Sequence, residues 1–302
     1  MAILQNERRQ PIIWKLLPWT PVGRALVAAT RRLEEAGSDT ASLDAQVLLA
    51  YVLDHDRAWL FAHHDYLLSP VEADTYADLV ARRAASEPVA YLVGRREFYG
   101  LELEVDRRVL IPRPETEQLV DAVLDHLDAR ERPGEVLADI GTGSGAIALA
   151  VAANHPTVRI YAVDLSPDAL DVARANVARL DERSQITLLQ GDLLTALPEA
   201  VDMVAANLPY ITSDDYGELM PDVRDYEPRV ALEAGPEGLD AIRRLLLQVP
   251  AHVKPGGALF LEIGHNQGGA VARLVEQLLP TAKHIGVRQD HHGYDRLVVV
   301  IL

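Results

Sequence analysis

The stretch Val136-Leu-Ala-Asp-Ile-Gly-Thr-Gly-Ser-Gly145 joins an apolar run to a glycine-rich turn, and small residues fill positions 146–153 after it. The apolar run predicts a buried strand, and the small residues predict a helix. Glycine lets the chain turn tightly and approach a ligand with no Cβ in the way. The segment therefore predicts a strand, a ligand-binding turn and a helix in succession.

Beyond this unit, apolar runs alternate with stretches of helical periodicity. We predict seven strands, at Val136–Ile140, Val158–Val163, Ile186–Leu189, Val201–Ala206, Ala258–Ile263, His284–Val287 and Leu297–Ile301. We predict helices near 115–130, 145–154, 167–180, 237–250 and 266–279. Such alternation produces a mostly parallel sheet covered on both faces. Residues 112–302 are therefore predicted to form a doubly wound, Rossmann-like α/β domain.

Residues 21–87 predict a small all-helical domain. Its apolar residues recur at helical spacing: Leu26, Ala29 and Leu33, then Leu43, Val47 and Tyr51, then Tyr76, Leu79 and Val80. In Ser69-Pro70-Val71-Glu72, an N-cap serine, a proline at the first helical position and a capping-box glutamate indicate a helix start. Residues 1–20 are predicted to be an N-terminal arm, because Lys15 and Pro18 interrupt the apolar run below membrane-spanning length.

Residues 88–111 are predicted to be a β-hairpin linker. Pro88 ends the helical pattern, and apolar and polar residues then alternate from Phe98 to Leu110. We expect Asp106-Arg107 to form the turn that leads to a second short strand, Arg108–Ile111.

Composition narrows the classes of function. The chain of 302 residues is 49% hydrophobic and 25% charged, which is ordinary for a globular protein with two domains. A net charge of −16 disfavours direct binding to a nucleic acid backbone. Zero cysteines exclude disulfides, thiolate catalysis and Cys-ligated zinc. His63 and His64 have no further ligand at suitable spacing, so no metal site is predicted. We expect a cytoplasmic monomer that does not bind membranes.

The spacing of the glycines indicates the type of cofactor. Nicotinamide and flavin sites use G-x-G-x-x-G, whereas here the third glycine comes one residue early and Asp139 precedes the turn. Both features are typical of an S-adenosylmethionine site. Asp164, at the end of the second strand, is predicted to accept the two ribose hydroxyls; its alternative role as a helix N-cap suits Ser166 better. Asp192 is predicted to meet the adenine amino group, with a turn-stabilising role as the alternative. The predicted cofactor-binding residues are Gly141, Thr142, Gly143, Ser144, Gly145, Asp164, Asp192, Leu193 and Asn207.

Asn207-Leu208-Pro209-Tyr210 follows the strand Val201–Ala206 and predicts a methyl-acceptor site. An amide nitrogen is a poor nucleophile because its lone pair is delocalised into the carbonyl group. Hydrogen bonds accepted from its two N–H protons help to localise that lone pair. Asn207 offers a side-chain carbonyl, Leu208 a backbone carbonyl and Tyr210 a flat ring. The predicted catalytic residues are Asn207, Leu208, Pro209 and Tyr210.

With these motifs, most of the chain resembles the glutamine methyltransferases that modify peptide chain release factors, a family of class I S-adenosylmethionine-dependent methyltransferases. Besides the glycine loop, the shared motifs are Pro88-Val-Ala-Tyr91, Gly94, Glu97-Phe98, Gly100-Leu101, Leu110-Ile-Pro-Arg-Pro-Glu-Thr-Glu117, 207–211, Glu227-Pro228, Ala231-Leu232, Gly238-Leu239, Gly256-Gly257 and Leu261-Glu-Ile-Gly264.

The resemblance implies methyl transfer from S-adenosyl-L-methionine to the glutamine of a Gly-Gly-Gln motif, with S-adenosyl-L-homocysteine as the other product. It also implies that Asn207 and the backbone after it hold this glutamine, and that the helical domain helps to dock the release factor. The family usually has Asn-Pro-Pro-Tyr, and Leu208 departs from that pattern. The same leucine variant occurs in rRNA adenine dimethyltransferases.

Three rival functions remain open from the sequence. An amino-methyltransferase acting on adenine or cytosine would use a similar loop, but the acidity of the chain and its lack of a basic recognition domain disfavour it. A non-catalytic binding module is disfavoured by the intact Asn207, Pro209 and Tyr210. A nicotinamide oxidoreductase is disfavoured by the glycine spacing. The segment Arg113–Glu117 has two interpretations, a helix start favoured by the helix dipole or a wall of the cofactor pocket.

Overall fold

A seven-stranded sheet forms the larger part of the protein. The computed structural model describes residues 14–130, 132, 134–181 and 183–302. The strands are β3 (Val136–Ile140), β4 (Arg159–Asp164), β5 (Ile186–Gln190), β6 (Val201–Ala206), β7 (Val253–Glu262), β8 (His284–Gln289) and β9 (Asp295–Ile301). Their order is β5-β4-β3-β6-β7-β9-β8, with β9 antiparallel to both of its neighbours. The predicted α/β fold is confirmed, although β7 begins five residues earlier than predicted.

The strands at the centre of the sheet are mostly apolar in sequence because they are buried on both faces. Every residue of β3 is buried, and β6 beside it is buried at all positions but one. The two strands are parallel, and Ile140 is in register with Ala206. The chain that leaves β3 and the chain that leaves β6 therefore emerge side by side at the same edge of the sheet.

Helices cover both faces of the sheet. They are α6 (Glu117–Arg130), α7 (Ala146–Asn154), α8 (Pro167–Leu180), α11 (Asp240–His252) and α12 (Gly268–Leu278), with two short helices, α9 (Ser213–Tyr216) and α10 (Pro221–Arg224), after β6. One apolar core lies under α6 and α7 and includes Phe260 and Leu127. The other lies under α11 and α12 and includes Leu246 and Leu259.

The hairpin that precedes this sheet lies earlier in the chain than predicted. Its strands are β1 (Arg95–Phe98) and β2 (Leu101–Glu104), and Tyr99 and Gly100 form the turn. Both turn residues have positive φ, 51° and 76°, as a two-residue type I′ hairpin requires. The chain does turn at the predicted Asp106-Arg107, where the N–H of Val109 donates to the carbonyl of Asp106 (3.1 Å), but this turn joins no strands, and the predicted strand Arg108–Ile111 is wrong. Asp106 also accepts a hydrogen bond from the backbone N–H of Arg108 (3.0 Å), which makes a local turn outside any strand.

The described residues up to Val93 form a separate helical unit, and Gly94–Leu302 forms the other. The helical unit contains α1 (Val22–Glu35), α2 (Ala41–Leu53), α3 (Arg57–Ala62), α4 (Pro70–Ala84) and α5 (Val89–Val93). Helix α5 thus falls inside the span 88–111 that we predicted to be a linker. The capping box at the start of α4 is present as predicted, with both hydrogen bonds between Ser69 and Glu72.

The predicted helix containing Leu43, Val47 and Tyr51 is present as α2, but the spacing of these residues marks the wrong face of it as buried. Leu43 and Tyr51 are exposed, and Leu48 and Leu49 are fully buried instead. Helix α2 is apolar on most sides, so the spacing of its apolar residues does not define one face. Tyr76 packs inside this unit and donates a hydrogen bond to the carbonyl of Ala45 (2.9 Å). Among the described residues, no helix has the length and hydropathy needed to cross a membrane.

Candidate active site

A cavity of about 350 Å³ opens where β3, β4, β5 and β6 end. The strand order reverses between β3 and β6, and open α/β sheets bind ligands at such a switch point. The volume lies in the range of small-molecule sites. We call this the first cavity. The predicted site residues that line it are Gly141, Gly143, Asp164, Asp192, Leu193, Asn207, Leu208 and Pro209.

The glycine loop forms one wall of the first cavity. The backbone N–H groups of Gly141 and Thr142 both donate to the carbonyl of Val163, at 2.9 and 3.0 Å. Gly141 has a φ of 73°, and a Cβ there would lie 3.2 Å from Cδ2 of Leu208. Only glycine fits both this conformation and this approach without strain. The loop is therefore shaped by the strand on one side and by the Asn207–Tyr210 segment on the other.

Asp139 supports the glycine loop from below. Its side chain is fully buried and accepts hydrogen bonds from the hydroxyl of Thr142 (2.6 Å) and the backbone N–H of Ala148 (3.2 Å). Burial raises the pKa of Asp139 to about 7, against the opposing effect of these two bonds. Thr142 and Asp139 thus hold the loop, and neither lines the first cavity.

Asp164 lies at the end of β4, at the edge of the first cavity. One carboxylate oxygen accepts from the backbone N–H of Gly143 (2.9 Å) and the other from that of Ser166 (2.9 Å). A carboxylate has about four acceptor positions, so each oxygen retains one for a ligand hydroxyl. Burial raises the pKa of Asp164, and the backbone hydrogen bonds oppose that rise. Ser166, not Asp164, caps α8, by accepting from the N–H of Ala169 (3.2 Å).

Asp192 lies on the far side of the first cavity and forms an ion pair with Arg244 of α11. Leu193 follows with a positive φ of 56°, an unusual conformation for a leucine. The turn that holds these residues has no space for a side chain at Gly191, because a Cβ there would lie 2.3 Å from that of Ala196. The geometry fits both interpretations of Asp192. Its carboxylate stabilises the turn through the ion pair with Arg244, and it also lines the cavity where an adenine group could bind.

Asn207 is held by a hydrogen bond that sequence reasoning missed. Its side-chain Nδ2 donates to the hydroxyl of Thr116 (3.1 Å), a buried residue just before α6. The two residues are 91 positions apart in the chain. Leu208 is buried against the glycine loop. Asn207 therefore joins the cavity wall to the Arg113–Glu117 segment.

Tyr210 contributes to another cavity, of about 480 Å³, and not to the first one. Its carbonyl accepts a hydrogen bond from Nε2 of Gln267 (3.0 Å). A Cβ on Gly238 would lie 2.3 Å from the same carbonyl oxygen, so glycine is required there. Burial and the nearby carboxylate of Glu262 raise the pKa of the Tyr210 hydroxyl to about 12. Tyr210 remains neutral at physiological pH.

Ser144 and Gly145 lie behind the cavity wall and support it. Gly145 caps α7, and the carbonyl of Ser144 accepts from Nδ2 of Asn176 (3.0 Å). Asn176 is fully buried and also exchanges hydrogen bonds with the backbone N–H and carbonyl of Glu104, at 2.7 and 2.9 Å. It therefore ties the glycine loop to the hairpin. No pattern of polar residues in the sequence indicated that Asn176 has this structural role.

Glu227 fixes the segment that leads into α6. It is buried, accepts from the backbone N–H of Ile111 (3.1 Å) and forms an ion pair with Arg113. Pro114–Thr116 forms a short 3₁₀ turn from which α6 continues, as the helix-start interpretation predicted. Its Thr116 also reaches Asn207, which supports the interpretation of this segment as part of the site. In the sequence, the motif Ile-Pro-Arg-Pro-Glu-Thr-Glu was the feature that could have indicated a role for this segment in the site.

Two family models match the chain. A model described as the PrmC N-terminal domain matches residues 24–94, and one described as the Methyltransferase small domain matches residues 117–219. The release factor glutamine methyltransferase of Cereibacter sphaeroides is 44% identical over 91% of this chain and 96% of its own length. That of Moorella thermoacetica is 43% identical over 90% of this chain and 95% of its own length.

Solved structures also resemble the chain. A release-factor-specific protein-(glutamine-N5) methyltransferase from Alicyclobacillus acidocaldarius is 31% identical, with a TM-score of 0.40, over 63% of this chain and 93% of that one. The catalytic domain of hMettl16, solved with an RNA hairpin from the MAT2A 3'UTR, is 17% identical, with a TM-score of 0.53, over 74% of this chain and 81% of that one. The second likeness concerns the fold alone.

Proposed function

The chain belongs to the family of release factor glutamine methyltransferases, and from that membership we propose that it methylates the side-chain amide nitrogen of the glutamine in the Gly-Gly-Gln motif of peptide chain release factors. The observation that carries the proposal is the position of Asn207, which lines the same cavity as Asp164 and the glycine loop. A group that can hold an amide and a cradle for a methyl donor thus share one site.

The residues of the first cavity fit S-adenosyl-L-methionine. Gly141 and Gly143 line the cavity and carry no Cβ, so a ligand can approach the backbone of the glycine loop closely. Asp164 keeps an acceptor position on each oxygen, which suits the two hydroxyls of a ribose. Asp192 and Leu193 line the part of the cavity assigned to adenine. When bound, the cofactor supplies an activated methyl group on a sulfonium, and S-adenosyl-L-homocysteine is its product.

Asn207 and Leu208 then orient the acceptor. The side-chain carbonyl of Asn207 and the backbone carbonyl of Leu208 accept hydrogen bonds from the two N–H groups of the glutamine amide, which directs the nitrogen lone pair toward the methyl group. Leucine supplies a backbone carbonyl as well as proline does, although it lacks the fixed φ. Pro209 stiffens the loop. Tyr210 lines the other cavity, so the predicted packing of its ring against the planar amide is not part of this arrangement.

Positioning accounts for catalysis without a strong base. Oriented reactants gain a large rate advantage over free ones, and the methyl group on a sulfonium is already activated. The amide nitrogen becomes acidic once it carries the methyl group, so its proton leaves after transfer. No side chain of the Asn207–Tyr210 loop is needed to remove it.

The helical unit is proposed to dock the release factor, and the protein is proposed to act in the cytoplasm on translation termination. The match of residues 24–94 to the PrmC N-terminal domain supports the docking role. The net charge of −16 supports a protein substrate over a nucleic acid.

Parallel methylation assays test the proposal. Purified protein and methyl-labelled S-adenosylmethionine are offered a release factor, duplex DNA and ribosomal RNA in separate reactions. We expect label in the release factor only. Label in a nucleic acid, with none in the release factor, would favour the amino-methyltransferase alternative.

A further inference from the structure

The carboxamide of Asn207 must present the correct end to its substrate. An amide side chain has an acceptor oxygen at one end and a donor NH₂ at the other, and the two are similar in size. If the oxygen faces a target amide, it accepts a hydrogen bond. If the NH₂ group faces it, two donors meet. The orientation of Asn207 therefore decides whether the site can hold an amide.

The hydrogen bond to Thr116 determines this orientation. Nδ2 of Asn207 lies 3.1 Å from the Thr116 hydroxyl oxygen, so the amide nitrogen is directed toward this buried threonine. Thr116 is only 4% exposed, which leaves little access for water to replace this contact. Its backbone N–H already donates to the carbonyl of Arg113 (3.1 Å), so the 3₁₀ turn itself does not use the hydroxyl.

Glu262 offers the Thr116 hydroxyl a neighbouring acceptor. It ends β7, is only 4% exposed and lies beside the side chain of Thr116, which opposes the rise in the pKa of Glu262 caused by burial. A hydroxyl has one proton, and a carboxyl group offers an acceptor oxygen in either protonation state. When Thr116 donates to Glu262, its oxygen has only lone pairs left for Asn207. Asn207 must then turn its NH₂ group to Thr116 and its oxygen to the cavity.

We infer that Thr116 and Glu262 are positioning residues that fix the Asn207 carboxamide with its oxygen toward the methyl acceptor. This inference rests on the proposed function, because it assigns the oriented group to a target amide. It gives a role to the threonine of the Pro-Glu-Thr-Glu segment and to the acid that ends β7.

Three variants separate this role from a structural one. Thr116→Val keeps the shape of the side chain and removes the hydroxyl, whereas Thr116→Ser keeps the hydroxyl. Thr187→Val is a control for the same substitution at an exposed position of β5 that does not line the first cavity. Single-turnover methylation of a release factor is measured at saturating S-adenosylmethionine, and cofactor affinity is measured by calorimetry.

We expect Thr116→Val to slow methyl transfer roughly tenfold to a hundredfold, because an unrestrained amide loses a correctly directed hydrogen bond. Cofactor affinity should change by no more than about threefold, since Thr116 does not line the first cavity. Thr116→Ser and Thr187→Val should transfer at close to the wild-type rate. A wild-type rate for Thr116→Val, or an equally slow Thr116→Ser, would overturn the inference.

A double-mutant cycle supplies the readout that a merely structural role would not give. If Thr116 acts through Asn207, Thr116→Val should have no further effect on the rate in an Asn207→Ala background. Additive losses would contradict the inference. If Thr116→Val does not fold, Thr116→Ala takes its place in the same cycle. Failure of the wild-type protein to methylate any release factor would instead reject the proposed function.

Discussion

Asp164→Ala should weaken cofactor binding more than any other single change in the wall of the first cavity. The carboxylate lines the cavity and holds the backbone N–H groups of Gly143 and Ser166, each at 2.9 Å. The substitution therefore removes the proposed ribose acceptor and loosens the glycine loop at the same time. Both effects act in the same direction on affinity.

The magnitude follows from the two ribose hydrogen bonds. Each contributes about 1 to 1.5 kcal/mol net in a partly exposed site, so their loss costs about 2 to 3 kcal/mol. This corresponds to a roughly 30- to 160-fold increase in Kd for S-adenosylmethionine. Loosening of the loop at Gly143 weakens cofactor binding further, so the increase in Kd estimated from the ribose bonds is a lower limit.

Calorimetric titration of the purified protein with S-adenosylmethionine measures this change. The matched control is Asp168→Ala, which removes the same charge from an exposed position in the first turn of α8. We expect the control to bind within about twofold of wild type, since exposed charges interact weakly. Wild-type affinity in Asp164→Ala would remove Asp164 from the cofactor site. Binding of NAD in place of S-adenosylmethionine would reject the cofactor assignment altogether.

Three further predictions follow from the same site. Asn207→Ala should slow single-turnover methylation by about two to three orders of magnitude while cofactor affinity changes far less, and a wild-type rate would show that Asn207 only shapes the turn. A folded release factor should be methylated much faster than a short peptide with the same glutamine, and equal catalytic efficiencies would exclude a docking role for the helical unit. Burial raises the pKa of Glu262 from 4.5 to about 7. Between these pH values the native state binds more protons than the unfolded state. The free energy of unfolding therefore falls as pH rises from 4.5 to about 7. Relative to wild type, Glu262→Gln should therefore be more stable at pH 8 than at pH 5, by on the order of 1 to 3 kcal/mol in chemical denaturation. A difference from wild type that is equal at both pH values would contradict this.

The sheet and the glycine loop were predictable because their signals are local. Each strand buried on both faces is a continuous apolar run, and the loop between β3 and α7 needs glycine for its positive φ angles. Asn207 and Asp164 were found for the same reason, since each directly follows or ends a recognisable strand. Parallel strands then bring such residues together at one edge of the sheet.

Contacts between distant parts of the chain were not predictable in this way. Thr116 and Asn207 are 91 residues apart, and Arg113 and Glu227 are 114 apart. Each contact depends on where two segments meet after folding, and neither segment has a sequence pattern that identifies its partner. Resemblance to a family drew attention to these motifs but did not indicate that they touch.

Errors in the smaller elements have local physical causes. Alternation of apolar and polar residues continues past Glu104, so it did not reveal that the chain reverses at Tyr99-Gly100. A tyrosine with positive φ is uncommon, and nothing in the sequence favours that turn over Asp106-Arg107 except the glycine. In α2 the apolar residues surround most of the helix, so periodicity assigned the buried face to the wrong side.

The central claim is that the methyl group goes to one glutamine nitrogen of a release factor. Intact-mass spectrometry of a purified release factor, after incubation with this protein and S-adenosylmethionine, tests it most directly, with fragmentation to locate the modification. We predict the gain of a single methyl group on the glutamine of the Gly-Gly-Gln motif, and no gain in a release factor with asparagine in place of that glutamine. An unchanged mass, or a methyl group on any other residue, would contradict the proposed function.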